Sequence, residues 1–467
     1  MTALDDSPAV QAVRAALAGE RAWIVGGTVR DARLGRPLRD VDLATTSDPR
    51  SLAHAVARAA GGAAFSLSDE FGAWRAVNRD EGWVCDVSPL QGATIEEDLA
   101  ARDFTVNAMA VPLAGGEALD PLGGAADLEA GRLRVVAAGV YEADPLRVLR
   151  LARFAAELGF RPDEETERLT AEAAPLLDRP AGERVFAELR RLVTAPGVLD
   201  GLRLADRLGI LRAVLPELSA MHDVEQSPYH HRDAYGHTIE VLERLLELER
   251  ELEEAFGDAA PALQGLLAEP LADELTRGGA LRFGALFHDV GKPDTRRVQD
   301  DGRITFMGHD KLGGEMVTGI CARLRTSTRL RDHLVALTRH HLRLGFLVHR
   351  RPLGRREVYS YLRACEPVEV DVSLLSCADR LATRGKNHEQ AIERHFDLAR
   401  ELIGEALAWR GRAPEEPLVR GADLAHELGL EPGPEIGRLL ALVEEARFAG
   451  EVATREEALE VARRNRL

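Results

Sequence analysis

Cysteine is scarce in this chain. There are four in 467 residues, Cys85, Cys321, Cys365 and Cys377, far apart and with no Cys-x-x-Cys among them. That spacing excludes a paired-thiol motif and reads as reduced core residues of a cytoplasmic protein. Long apolar runs are also missing. None approaches the ~18 residues that a membrane span needs, so no membrane partner is expected. The first residues, Met1-Thr2-Ala3-Leu4-Asp5-Asp6, are acidic and lack the basic and apolar pattern of an export signal. Nor is there an excess of positive charge: the formal net charge is −17. This argues against non-specific nucleic-acid binding, which works by neutralising phosphates with Lys and Arg. Local basic surfaces remain open, and arginines concentrate at Arg147, Arg150 and Arg153, at Arg350-Arg351 and at Arg355-Arg356.

What the chain does have is length for two to four domains and 45% hydrophobic residues to fill their cores. Residues 1–138 mix short strand-like runs with helices. The strand candidates are Trp23–Val25, Val41–Ala44, Ala73–Asn78, Trp83–Val87 and Val106–Val111, separated by turn signals such as Asp80-Glu81-Gly82. After Val140 apolar residues recur at three- and four-residue spacing, as in Pro145–Glu157 and Arg184–Val193. The expected fold class is α+β: a head with a small mixed sheet, followed by a long α-helical body. Residues 257–279 read as a loop or insertion, and Pro414-Glu415-Glu416-Pro417 as a linker to a last helical segment.

The chemistry concentrates first in the head. Ala22-Trp23-Ile24-Val25-Gly26-Gly27-Thr28-Val29-Arg30-Asp31 is a strand, a glycine pair and a helix start, and Asp40-Val41-Asp42-Leu43 follows. Two carboxylates at i and i+2 share one face of a strand and can hold Mg²⁺, a hard cation that takes oxygen ligands. Gly26 and Gly27 let backbone approach a ligand, Thr28 is placed to cap the helix, and a helix N-terminus attracts anions. No Gly-Lys-Ser/Thr follows, so this is not a P-loop. Together the pieces are the apparatus of phosphoryl or nucleotidyl transfer.

Further segments add to it. Asp98-Leu99-Ala100-Ala101-Arg102-Asp103-Phe104-Thr105-Val106-Asn107-Ala108-Met109-Ala110 puts an Arg-Asp pair before a strand. Ala143-Asp144-Pro145-Leu146-Arg147-Val148-Leu149-Arg150-Leu151-Ala152-Arg153-Phe154 puts Pro145 in a first helical turn, with Asp144 and Arg147 three apart on one face. An acceptor and fixed donors side by side can read a nucleobase edge.

In this order the segments resemble the class II nucleotidyltransferases, the bacterial CCA-adding enzymes and poly(A) polymerases. The resemblance implies catalytic Mg²⁺ on Asp40 and Asp42, and a triphosphate held by Gly26, Gly27 and Arg30. It implies ribose contacts from Arg102 and Asp103, a loop supported by Asn107, and Asp144 and Arg147 as a protein template for CTP or ATP, with Arg150 and Arg153 beside them. The implied substrate is the 3′ end of tRNA. Asp86 is a candidate third carboxylate. Three departures stand out. Ala101 replaces the first arginine of Arg-Arg-Asp, and Ala143 replaces the glutamate of Glu-Asp-x-x-Arg. The connection from Asp86 to Glu96 is only residues 87–95. CCA-adding members carry a longer flexible loop there, and members that add only C lack it. The expectation is therefore CC addition, with full CCA addition or poly(A) synthesis as alternatives.

The helical body carries a second constellation: His237, then His288-Asp289 in Leu286-Phe287-His288-Asp289-Val290-Gly291-Lys292-Pro293, then His309, His340-His341 and Asp379. Imidazoles and carboxylates from separate helices are metal-site chemistry. The order resembles the HD phosphohydrolase superfamily. It implies a second divalent metal on His237, His288, Asp289 and Asp379, with His309 and His340 or His341 as extra ligands, and Lys292 supporting a phosphate. A chain of a different class, an HD phosphohydrolase whose head only binds nucleotide, is the alternative that Asp40 and Asp42 oppose. The implied layout is a nucleotidyltransferase head over 1–138, a helical neck over 139–222, an HD domain over 223–400 and a helical tail over 413–467. Within the tail, Gly433-Pro434-Glu435-Ile436-Gly437 is a turn, with Pro434 starting a helix.

Overall fold

The computed structural model describes residues 2–68, 72–227, 231–384, 388–412 and 416–466. Much of the expected linker, Pro414 and Glu415 included, lies outside the described residues. The chain divides into two units, Met1–Val214 and Leu215–Leu467.

The first unit is built on a six-stranded sheet: β1 (Ala22–Val25), β2 (Asp40–Thr45), β3 (Ala63–Ser68), β4 (Ala73–Asn78), β5 (Trp83–Pro89) and β6 (Ala110–Pro112). The spatial order is β3-β4-β5-β2-β1-β6. Only β2 and β5 run parallel; the other neighbours are antiparallel. Strand alternation sends Val41 and Leu43 of β2 into the core and leaves Asp40 and Asp42 on the opposite face. The parallel register sets Asp42 beside Asp86. Helix Pro49–Ala59 covers β3, β4 and β5, burying Leu52, Ala53 and Val56. Each such Leu or Val removed from water contributes about 1.5–3 kcal/mol.

The sheet departs from the sequence reading in one strand and adds another. Val106–Val111 is not one strand: Thr105–Asn107 forms a 3-10 turn and β6 begins at Ala110. The edge strand β3 escapes hydrophobic patterning because Ala63-Ala64-Phe65-Ser66-Leu67-Ser68 leaves its two large residues exposed. Beyond the sheet, helices Leu146–Leu158, Gly182–Thr194 and Val198–Arg207 pack together through Leu149, Ala152, Leu189, Leu192 and Leu202. Pro145 is the cap before the first of these rather than a member of it.

The second unit is helical. Helix Ala234–Arg250 packs on Arg277–Phe287 and on Glu369–Leu381, and Thr328–His340 packs on Arg277–Phe287 and on His309–Arg323. Residues 257–279 are not a loop. They hold helix Ala260–Ala268 and a hairpin of Pro270–Ala272 with Leu275–Thr276, turned at Asp273 and Glu274 with φ of 52° and 57°. Asp is among the side chains that tolerate the left-handed region, and Glu274 follows it there, a turn that a search for Gly or Asn overlooks. The tail helices Gly421–Leu428, Pro434–Phe448 and Arg455–Arg464 close around their own core of Leu424, Leu439, Val443 and Leu459. Pro434 opens its helix, as read from the sequence. No helix among the described residues is long and apolar enough to cross a membrane.

Candidate functional site

In the first unit a cavity of about 580 Å³ is lined by Gly26, Gly27, Arg30, Asp40, Asp42, Arg102, Asp103, Asn107, Asp144, Arg147, Arg150 and Arg153. Twelve residues singled out along 128 positions of sequence thus share one cavity. The backbone explains the glycine at 26. Its φ is +64°, and a Cβ there would lie 2.7 Å from Arg102 Nη1 and 3.5 Å from Asp42 Oδ2. Thr28 does not cap the helix Gly27–Arg33; Gly26 stands at that position. Instead the buried Thr28 hydroxyl donates to the Asp40 carbonyl at 3.1 Å and accepts from the Asp42 N–H at 2.7 Å. It pins the helix start to the strand that carries both carboxylates.

Asp42 is pushed up to about 6, first by burial and then by the neighbouring charge of Asp86. Asp86 itself is gripped by Arg75, whose Nε and Nη2 each donate at 2.7 Å to one carboxylate oxygen. Arg30 donates bidentately to Asp31 at 2.9 and 2.8 Å and to Asn107 Oδ1 at 2.7 Å. Asn107 Nδ2 in turn donates to Asp103 at 3.0 Å. Burial alone would raise Asp103, but the Arg150 guanidinium at 2.7 Å and the donors Asn107 and Phe104 N–H outweigh it and hold the carboxyl at about 2. Arg102 is oriented by the buried Asp98 at 2.9 Å, one helical turn earlier. Asp144 is extended, with φ −146° and ψ 96°, and its carboxylate sits 3.3 Å from Arg184. Arg147 donates to the Arg102 and Val140 carbonyls at 3.4 Å. Asp144 and Arg147 therefore share a cavity wall but not one helix face.

In the second unit a cavity of about 1240 Å³ is lined by Asp289, Lys292, His309, His341 and Asp379. His237, His288 and Asp289 form one group that could hold a metal ion, and Asp289, His309 and His341 form another. Asp289 is the shared member: His288 Nε2 lies 3.0 Å and His237 Nε2 3.7 Å from Oδ2, and His309 Nε2 3.3 Å and His341 Nε2 3.8 Å from Oδ1. Asp379 approaches His237 Nε2 at 3.0 Å. The ring Nδ1 atoms of His288, His309 and His341 face the carbonyls of Ala285, Phe306 and Thr338 at 2.7–2.8 Å. A carbonyl only accepts, so each Nδ1 carries a proton, and each ring turns its Nε2 inward to the cluster. Burial, followed by the charge of His288, pushes His341 down to about 4, which keeps it neutral. Lys292 Nζ donates to Asp289 and to Gln226, each at 2.5 Å. Gly291 admits this packing: a Cβ there would lie 2.3 Å from the His309 carbonyl. His340 is outside the cluster. Its Nδ1 accepts from Arg343 Nε at 2.9 Å, because successive residues of a helix are 100° apart and His341 takes the inward position.

Residues 22–134 match the poly A polymerase head domain, 159–221 the family described as "Probable RNA and SrmB- binding site of polymerase A", and 234–384 the HD domain. The chain is 36% identical over 451 residues to the A-adding tRNA nucleotidyltransferase of Deinococcus radiodurans, covering 94% of each. It is 34% identical over 445 residues to the CC-adding tRNA nucleotidyltransferase of Thermus thermophilus, covering 94% of this chain and 92% of that one. The chain belongs to the tRNA nucleotidyltransferase family. Its fold is similar to that of the Thermotoga maritima CCA-adding enzyme complexed with tRNA, with a TM-score of 0.61, 21% identity, and 99% of this chain and 97% of that one covered.

Several residues at or beside the first-unit cavity escaped sequence reasoning. Arg75 meets Asp86 only through the β4–β5 register. Arg184 lies 40 positions from Asp144, and nothing local marks the pairing. Asp98 was readable, since Asp and Arg at i and i+4 on a helix are neighbours.

Proposed function

We propose that this enzyme adds cytidines to the 3′ end of tRNA from CTP, releases pyrophosphate and stops before adenosine. The observation that supports the transferase reading is the gathering of Asp40, Asp42, Arg30, Arg102, Asp144 and Arg147 around one cavity. The oxygen donors of Asp40 and Asp42 suit Mg²⁺, and the burial and neighbouring Asp86 charge that push Asp42 up to about 6 favour a cation beside it. Bound there, Mg²⁺ supplies activation of the RNA 3′-hydroxyl and charge neutralisation at the α-phosphate. The chain's own groups do the rest. Arg30 and the backbone at Gly26-Gly27 hold the triphosphate. Arg102 and Asp103 face the ribose. Asp144 accepts from the cytosine amino group, and Arg147 donates to its ring acceptors. The 3′ oxygen bonds to the α-phosphorus, the α–β P–O bond breaks, and the hydroxyl proton is lost to solvent. This reading places the enzyme in the cytoplasm with its tRNA and nucleoside triphosphates.

The restriction to C rests on the connection after β5. It is short and pinned: Gln91 N–H donates to Asp98 at 3.0 Å, Ala93 N–H to Glu97 at 2.6 Å, and Glu97 N–H to Thr94 Oγ1 at 3.3 Å. A segment so tied has little freedom to re-form the base site for ATP. The identity of 36% to an A-adding relative favours a second reading, addition of the terminal A alone. Unmodified tRNA ending before CCA, after the first C and after the second C, each offered CTP or ATP, separates them. CTP extension of the first two, with no ATP extension of the third, supports CC addition. ATP extension of the third alone supports A addition, and both together mean full CCA synthesis.

The second unit reads as a metal-dependent phosphohydrolase. Inward-facing imidazole Nε2 atoms with the Asp289 carboxylate are a donor set for a borderline divalent cation such as Mn²⁺, Co²⁺ or Ni²⁺. Bound there, the cation supplies activated water and a Lewis acid for phosphate. Lys292 presents a buried cation beside it. Hydrolysis of phosphomonoesters or cyclic phosphodiesters that disappears in Asp289→Ala, while nucleotide addition persists, is the expected result. Hydrolysis unchanged in that variant excludes the reading.

A further inference from the structure

Among the described residues of the first unit, the large apolar side chains left exposed are Phe65 and Leu67, at 48% and 43%. Both belong to β3, the strand that ends the sheet. The register places Phe65 opposite Arg75, Arg75 opposite Asp86, and Asp86 beside Asp42. Side chains in register across a sheet share a face, so these four form one row. Arg75, Asp86 and Asp42 of that row already line the first-unit cavity. Trp74, one residue before Arg75, turns the other way and meets Arg50 and His54 of helix Pro49–Ala59. That helix thus lies behind the sheet, and Phe65 stands bare on the face that carries Asp40 and Asp42.

The other end of the row is taken. Gly26, Gly27 and Arg30, proposed to hold the triphosphate, follow β1, on the far side of β2 from β5. In phosphoryl transfer the attacking and leaving oxygens lie in line through phosphorus. A triphosphate on the β1 side sends its pyrophosphate that way, so the RNA 3′-hydroxyl enters from the β5 side and its chain runs over β4 and β3. Ala63-Ala64-Phe65-Ser66-Leu67-Ser68 holds no charged residue, so in a chain of net charge −17 this strand sets no carboxylate against a phosphate backbone.

We propose that Phe65 is a stacking platform for a base near the 3′ end of the RNA substrate, with Leu67 extending the apolar surface along the strand. The proposal rests on the transferase reading and adds where its RNA lies. Three strand spacings put Phe65 ~14 Å from Asp42. That is about four nucleotides at stacked spacing, and fewer when the strand is extended. An aromatic face holds any base without reading it. Such a platform suits a substrate whose last residues change with each addition.

The test is steady-state kinetics of the full chain on tRNA ending before CCA, after the first C and after the second C, each with CTP or ATP. For whichever tRNA is extended, Phe65→Ala is expected to raise the KM for tRNA about tenfold, the scale of one lost stacked base, with the KM for nucleotide unchanged. Phe65→Trp restores the KM for tRNA. A second arm removes the base from each of the last four nucleotides of the tRNA in turn. At one of these positions the loss is about tenfold with Phe65 present and absent in Phe65→Ala, because both changes remove the same contact. An unchanged KM for tRNA in Phe65→Ala, or losses that simply add at all four positions, overturns the inference while the transferase reading stands. An unchanged KM together with a halved mass in sedimentation also overturns it and gives the edge to a second copy of the chain. Extension of no tRNA by the unmodified chain overturns the transferase reading, and this inference with it.

Discussion

Arg75 and Asp86 face each other across β4 and β5, and the Arg75 guanidinium occupies both oxygens of the carboxylate next to Asp42. Asp86 is thereby engaged by a cation of the chain itself, which leaves Asp40 and Asp42 as the proposed metal ligands. Asp86→Asn is expected to slow nucleotide addition about tenfold or less, against about 10³-fold or more for Asp42→Ala. Single-turnover rates with saturating CTP check this. A loss in Asp86→Asn as deep as in Asp42→Ala would make Asp86 a third ligand.

Thr28 bridges Asp40 and Asp42 through their backbone, accepting from the Asp42 N–H and donating to the Asp40 carbonyl. Thr28→Val keeps the shape and removes both bonds, leaving a buried N–H unpaired at a cost of about 1–3 kcal/mol. The predicted result is a kcat reduced about ten- to a hundredfold with KM for CTP little changed, since the substrate contacts lie elsewhere. Steady-state kinetics on tRNA lacking CCA measure it.

Protons compete with metal at Asp42. Its carboxyl sits at about 6 without metal, so it is largely ionised at neutral pH and largely protonated well below 6. Mg²⁺ affinity of the head should therefore fall steeply between about pH 7.5 and about pH 5, by more than an unperturbed carboxylate would give. Calorimetric titration at the two pH values checks the sign. An affinity that is flat across the range would contradict it.

The helical cluster separates two adjacent histidines. His341→Ala removes an inward Nε2 and should lower divalent-metal binding by the second unit about ten- to a hundredfold, whereas His340→Ala, which only loses a contact with Arg343, should leave it unchanged. Metal content after dialysis against Mn²⁺ or Co²⁺ distinguishes them.

This pair also shows where sequence reasoning stops. The helical period places one of two consecutive histidines inward, yet it does not say which without the phase of the helix. The same limit hid Arg75, whose partner is set by strand register, and Arg184, whose partner is set by packing of two helices. Local chemistry was legible. Gly26-Gly27, Asp40-x-Asp42 and Arg102-Asp103 are each fixed by short-range geometry, and all of them line the cavity. Thr28 sits where a helix cap is expected, but the neighbouring strand offers its hydroxyl a better pair of partners than its own helix. Residues 257–279 hold Gly, Pro and Ala and read as a loop or an insertion. In the fold they form a helix and a hairpin stabilised by packing against helix Arg277–Phe287.

Asp40 and Asp42 are proposed to drive nucleotide addition to tRNA. The most direct test is extension of tRNA lacking CCA with labelled CTP and ATP together, resolved at single-nucleotide length, for the full chain and for Asp40→Ala. The full chain is expected to lengthen the tRNA by two cytidines, and Asp40→Ala by none. Extension by Asp40→Ala at the unmodified rate, or no extension by the unmodified chain, would contradict it.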